Sequence, residues 1–238
     1  AASREFVDAL LDSEPNRLES SFREMLYRQT QGHPLFTIEL LRGLQEQGDV
    51  VKDSQGYWTA GASLDWETLP VRVEAAIQER IDRLPEELQK ALEVASIEGG
   101  LFTAEVMARV RGVDERKMME QLSGELDRKH RLVRAQSIQR VDGQLLSRYQ
   151  FRHILFQKYL YNNLDEVVRV HLHEQVGTTL EALFGTGENA AVIAVQLARH
   201  FQEARIVDKA IRYLYLAGDK AIQLSAYQEG VTHLTRGL

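Results

Sequence analysis

The sequence predicts a mainly α-helical protein with one prominent β-hairpin set among its helices, and three observations lead there. Apolar residues recur at intervals of three, four and seven through most of the 238 residues, the spacing that gathers them on one helix face. From Arg131 to Phe156 that rhythm gives way to two alternating runs joined at Asp142-Gly143, a dipeptide suited to a tight hairpin turn. In the last fifty residues, Ala210-Ile211-x-x-Leu214-x-x-Ala217 is echoed by Gly230-Val231-x-x-Leu234-x-x-Gly237, small and apolar positions spaced for closely stacked helices.

Composition narrows the class. Hydrophobic residues make up 44%, charged residues 27%, and the formal net charge is −6. That is an ordinary globular balance, which argues against disorder and against strong overall affinity for nucleic acid. The absence of cysteine excludes disulfides, thiolate metal sites and cysteine nucleophiles. It also fits a reducing compartment. No apolar run approaches the roughly 18 residues of a membrane span, and the N-terminus lacks a signal-peptide pattern. The expected location is the cytoplasm.

The elements follow in order. Phe6, Leu10, Leu18, Phe22, Met25 and Leu26 suggest two short amphipathic helices separated at Ser13-Glu14-Pro15-Asn16. After Gly32-His33-Pro34 a helix is predicted with Leu35, Ile38, Leu41 and Leu44 inward, closed by Gly48. Pro34 suits its first position, where no N-H is needed. Val50 to Lys52 and Tyr57 to Thr59 form a small hairpin. Beyond Pro70, a helix buries Val73, Ala76, Ile77 and Leu84, and Pro85 opens another that ends at Gly99-Gly100. Thr103 and Asp114 are candidate N-caps for a short helix and for a longer one reaching His130. The wing follows, with Leu132 and Ile138 on one side and Leu146, Tyr149 and Phe151 on the other. Three helices followed by a two-stranded wing is the order of a winged-helix domain. From His153 to Phe184 the chain turns helical again, with Leu155, Tyr159, Leu160, Val168, Leu172, Val176, Leu180 and Leu183 inward, up to a break at Gly185-Thr186-Gly187.

Several chemistries can be set aside. Gly43 and Gly48 have P-loop separation, but Asp49-Val50 stands where Lys and Ser or Thr are required, and a carboxylate there repels phosphate. Gly185-x-Gly187-x-x-Ala190 follows a helix and not a strand, so no βαβ unit holds a dinucleotide. His171 and His173 lie two apart on a helix and point to different faces; both read as surface residues, and no metal site is predicted. No complete active site is expected.

Charge is unevenly placed. Between Arg128 and His153 there are seven basic residues (Arg128, Lys129, Arg131, Arg134, Arg140, Arg148 and Arg152) against one acid, Asp142. Such a wing could meet nucleic-acid phosphates, the phosphates of a small nucleotide, or an acidic neighbour within the same protein.

Taken together, GHPLFTIELLRGL, LPVRVEAAIQERIDRLPEELQKALEVASIEGGLFTAEVMARV and YQFRHILFQKYLYNNL, in that order, resemble the regulatory half of STAND (signal-transduction) ATPases. The closest likeness is to the bacterial branch associated with nucleotide cyclases, kinases or transcriptional activators. The resemblance spans nearly the whole chain. It implies a helical domain over residues 1–69, following a nucleotide-binding core, a winged-helix domain over 70–164, and over 165–238 a helical arm entering tetratricopeptide-like α-hairpins. In the family a Gly-x-Pro turn packs its proline on adenine, here Gly32-His33-Pro34, and a winged-helix histidine reaches the ADP phosphates and holds the closed state, here His153 beside Arg152. The commoner turn is Gly-Asn-Pro, so His33 is a departure. Walker A and Walker B segments and their Mg²⁺ ligands do not occur in this chain.

The implied function is regulation of an ATP/ADP-dependent switch. The winged helix would clamp ADP, and the arm would couple to a C-terminal sensor. ADP or ATP, with Mg²⁺ in the full-length protein, would be held with an upstream nucleotide-binding domain of the same protein and not by this stretch alone, which is not expected to be an enzyme. Further protein partners would bind the repeats. Two alternatives stay open: a winged-helix DNA-binding transcriptional regulator reading duplex through residues 114–130, and a helical-repeat scaffold for protein interactions.

Overall fold

A computed structural model of the chain describes residues 4–61, 66, 71–141, 143–184, 188–223, 232, 235 and 236. It is mainly helical, 68% helix and 13% strand, with a two-stranded and a three-stranded sheet. The chain divides into two compact units, Ala1–Gln89 with His153–Tyr159, and Lys90–Arg152 with Leu160–Leu238.

The first unit begins with α1 (Arg4–Asp12), α2 (Ser20–Thr30) and α3 (Pro34–Gln47). Arg23 ties the first two together, reaching Asp8 at 3.3 Å and Asp12 at 2.6 Å. After α3, Gly48 turns the chain with φ 82°, and β1 (Val50–Lys52) pairs antiparallel with β2 (Trp58–Ala60), Val50 opposite Ala60. Helix α4 (Val71–Asp82) packs on α3. Val73, Ile77 and Leu84 are buried as expected, joined by Ile81, while Ala76 is only half-buried.

The face of α3 differs from the expected one. Phe36, Leu40 and Leu44 line its core side, whereas Leu35 is 47% exposed and Ile38 and Leu41 are half-buried. Both stripes have helical spacing. The bulky Phe36 ring gains more from burial than Leu35, and that sets the helix rotation.

Helix α5 (Glu86–Glu98), which enters the second unit at Lys90, leads to β3 (Leu101–Thr103), α6 (Ala104–Arg111) and α7 (Glu115–Glu120). Asp114 caps α7, accepting from the Lys117 N-H at 3.1 Å. Thr103 stands at the N-cap of α6 but makes no cap bond; its hydroxyl and N-H both donate to the buried Glu98 carboxylate, at 2.7 and 2.9 Å. The single long helix expected up to His130 is instead α-helical to Glu120 and π-helical over Gln121–Lys129. It ends with His130 N-H donating five residues back to the Glu125 carbonyl at 2.9 Å.

Then come β4 (Val133–Val141) and β5 (Gln144–Phe151), in a sheet of order β3-β5-β4, antiparallel throughout. Gly143 adopts φ 84°, as the predicted turn requires; Asp142 lies outside the described residues. Leu132, Leu146, Tyr149 and Phe151 are buried, but Ile138 is 72% exposed. A bulge between Ala135 and Ser137 sets Ile138 opposite Ser147, on the face of Val133, Tyr149 and Phe151, but in a stretch of the hairpin where Gln139, Arg140 and Leu145 are exposed as well.

Helix α8 (Ile154–Asn162) follows the hairpin, and α9 (Glu166–Phe184), α10 (Glu188–Val192), α11 (Ala194–Glu203) and α12 (Val207–Gln223) complete the second unit. Helix α9 packs on α6 and α11, and α11 on α12. Val168, expected inward, is exposed, and His173, expected at the surface, is 1% exposed. The reason is local: α9 buries a face running through His173, Val176, Gly177 and Leu180. There the imidazole finds partners on both nitrogens, Tyr161 Oη at 3.1 Å and His200 Nδ1 at 2.9 Å. The break at residues 185–187 and the repeat's second half, from Gly230, fall at or among residues outside the description. Among the described residues no helix is long and apolar enough to cross a membrane.

Candidate functional site

The site is built where α2 gives way to α3. Residues Gln31 and Gly32 have φ 51° and 67°, two left-handed positions in succession, and glycine tolerates the second without strain. The turn is fixed from beneath by two buried threonines. Thr30 Oγ1 donates to the Leu26 carbonyl at 2.8 Å and accepts from Gly32 N-H at 3.3 Å. Thr37 Oγ1 lies 3.0 Å from it and 2.9 Å from the His33 carbonyl. Pro34, at the first helical position and exposed, starts α3.

Within this first unit the turn meets the residue that opens α8. The rings of His33 and His153 pack edge to face with centroids 4.6 Å apart and planes at 79°. Phe36 lies 4.9 Å from His33 and 5.2 Å from His153, and Phe156 lies 5.6 Å from Phe36. Arg80, on α4, sits 5.0 Å over the Phe156 ring. The cluster therefore joins two imidazoles, two phenyl rings and a guanidinium.

Its electrostatics favour an anion. Burial, then the charge of Arg80, hold the His33 pKa below its ordinary 6.5, so the ring is neutral at pH 7. Burial and the neighbouring Arg83 likewise lower the pKa of Arg80, a sign that this cation is incompletely solvated. His33 Nδ1 is buried and meets no hydrogen-bond partner among the described residues. Buried polar atoms in that condition are uncommon and mark a place where a partner would be stabilised. The cluster also adjoins the first turns of α3 and α8, whose N-H groups lack intrahelical acceptors and whose dipoles favour negative charge.

Of the four residues singled out from sequence, Gly32 and Pro34 flank His33, and His33 meets His153. Arg152 is committed elsewhere. Its Nε donates to the Val133 carbonyl at 2.9 Å, its Nη2 reaches Asp127 at 2.5 Å, and its N-H bonds Leu132 O at 2.9 Å. It pins the end of β5. Phe36, Arg80 and Phe156 were not anticipated. A signal for two of them was present: His33-Pro34-Leu35-Phe36 and His153-Ile154-Leu155-Phe156 are the same His-x-Leu-Phe pattern. Each stands at a helix start, where i and i+3 share a face.

Among the described residues no group of three or more His, Asp or Glu side chains could hold a metal ion. No protein-family model, curated protein or solved structure matches the chain.

Proposed function

We propose that this chain is the regulatory region of an ATP/ADP-dependent signal-transduction switch of the STAND type, in which His33, His153 and Arg80 meet the phosphates of a bound nucleotide. The observation that carries the reading is the 4.6 Å ring contact between His33 and His153. It brings the Gly32-His33-Pro34 turn and the strand-to-helix histidine into one cluster, though 120 residues of sequence separate them. A scaffold with no nucleotide role gives no reason for that meeting. The chemistry present suits a phosphate: imidazole donors, a partly desolvated guanidinium and two helix starts. Gly32 supplies the turn and Pro34 an exposed apolar plate for a base, while Arg152, next to His153 in sequence, holds the end of β5. The nucleotide would be held chiefly by a P-loop domain of the same protein.

The finer architecture belongs to the same proposal. Helices α5, α6 and α7, followed by a hairpin in a β3-β5-β4 sheet, support a winged helix. Helices α9, α11 and α12, packed in succession, support an arm leading to tetratricopeptide-like repeats. A nucleotide shifts such a switch only by its differential affinity for two states. His153 supplies that difference if it meets the diphosphate in one state alone.

In the protein together with its nucleotide-binding domain, His153→Ala is expected to release bound ADP at least tenfold faster and to raise basal signalling, while Arg152→Ala has a smaller effect. Unchanged ADP retention and basal output in His153→Ala would refute the reading.

Duplex DNA binding has less support. Lys129 and Arg152 of the basic hairpin region are paired with Glu125 and Asp127. Arg128 and Arg140 donate to nearby backbone carbonyls, and Glu115, Glu120 and Glu125 punctuate the reading helix. A gel shift at low and moderate salt decides between the two.

A further inference from the structure

The second unit contains a cleft of about 640 Å³, within the size range of small-molecule sites, and none of its lining residues belongs to the histidine cluster. One wall is apolar, formed by Phe184, Ile193 and Leu214. The lining also carries Arg148 from β5 and Arg199 from α11. A third arginine, Arg236, stands at the rim, its Nη2 bonded to Gln202 Oε1 at 3.2 Å.

These cations are unusually placed. The Nε of Arg148 is buried and meets no hydrogen-bond partner among the described residues. A guanidinium donor shielded from water without an acceptor is costly, and an anion arriving there recovers the loss. Arg199 donates through Nη2 to the carbonyls of Ile97 and Glu98, both at 2.9 Å. Its partners are neutral dipoles, so its charge is held rigidly at the cleft and not cancelled by them.

The acid in the wall, Glu98, feels the charge of Arg148 but offsets the arginines only in part. Glu98 is 4% exposed, and its oxygens accept from the Thr103 hydroxyl and N-H at 2.7 and 2.9 Å. Burial pushes its carboxyl up to about 7, so near neutrality it carries only part of a negative charge.

We infer that this cleft binds a small amphipathic organic anion, its carboxylate or phosphate on Arg148 and Arg199 and its apolar body against Phe184, Ile193 and Leu214. Such an occupant touches both the hairpin strand β5 and the helices α9, α11 and α12, so its arrival stiffens that unit. The inference does not depend on the nucleotide site, and either can fail alone.

The test is calorimetric titration of the chain with octyl phosphate and octanoate below their micellar concentrations, with octyltrimethylammonium and inorganic phosphate as comparators. At least one of the two amphipathic anions is expected to bind at one equivalent and raise the melting temperature, inorganic phosphate at least tenfold more weakly. Arg148→Gln should weaken binding tenfold or more, the loss of one charge-assisted contact. Val195→Trp, at an exposed position on the cleft lining, should block the cleft without disturbing the fold. Binding of neither anion, equal binding of the ammonium compound or of inorganic phosphate, or full affinity in both variants would overturn the proposal.

Discussion

Two pairs of histidines meet in this molecule, and they meet differently. His173 and His200 are buried, with Nδ1 atoms 2.9 Å apart, and Tyr161 Oη lies 3.1 Å from His173 Nε2. Only one proton fits between the two Nδ1 atoms. If His200 donates, His173 carries its own proton on Nε2 toward Tyr161, and His200 Nε2, which meets no partner among the described residues, strands a lone pair and not an N-H. That is the less costly tautomer. His33 and His153 share no such hydrogen bond. They touch through ring faces and edges, half-buried, beside Arg80 and two helix starts. The first pair spends its polar atoms on each other and reads as structure. In the second, His33 Nδ1 meets no partner among the described residues, which is the polar capacity a binding site requires.

The comparison breaks most readily at His200. His200→Ala removes a fully buried ring and leaves His173 Nδ1 without its partner, so it is expected to destabilise the fold by about 3 kcal/mol, read from denaturant unfolding. A loss below about 1 kcal/mol would remove the distinction between the pairs.

Acid should show the same contrast. Burial, then Arg199, holds His173 down to about 4, and the same causes hold His200 well below 6.5. Both folded-state values are depressed, so this contribution is complete above pH 6.5 and is lost as pH falls toward 4, by about 3 kcal/mol for His173 alone. Glu98 works in the opposite sense: its raised pKa makes stability fall as pH climbs from 4.5 to about 7. The unfolding midpoint is therefore followed from pH 7.5 to 4.5 in the Glu98→Gln chain. The decline expected there should shrink in Glu98→Gln/His173→Phe, His200 keeping its own share; a decline of equal size in both chains would contradict the account.

A smaller change is expected at the other pair. His33→Ala and His153→Ala each lose ring contacts worth about 1 kcal/mol, and the folded chain should tolerate both. A cost as large as that of His200→Ala would make the first cluster another piece of core.

Sequence legibility follows the same division. The α2–α3 turn was readable because Gly32 and Pro34 each have a backbone reason to be there, and the hairpin because Gly143 accepts a positive φ. The family resemblance implied only that the Gly32-His33-Pro34 turn and His153 serve one nucleotide; the contact of His33 itself with His153 was not legible, since no local rule reports a contact across 120 residues. The rest was hidden for particular reasons. Ile138 was misplaced because an alternating pattern does not tell which stretch of a hairpin face the rest of the chain covers. Leu35 and Phe36 lie on two stripes with the same period, and tertiary packing chose between them. His173 read as surface because a lone polar residue on a helix gives no hint that Tyr161 and His200 will satisfy it. Arg80 looked like one more charge on an amphipathic helix, and only the ring of Phe156 beneath it marks it out.

The central claim, that the His33–His153 cluster receives nucleotide phosphate, is tested most directly by histidine-resolved NMR of the protein together with its nucleotide-binding domain during titration with ADP. The ring signals of His33 and His153 should shift together and saturate, adenosine should leave them in place, and the exposed His171 should not respond. Signals of His33 and His153 that stay fixed at millimolar ADP, or that move equally with adenosine, would contradict it.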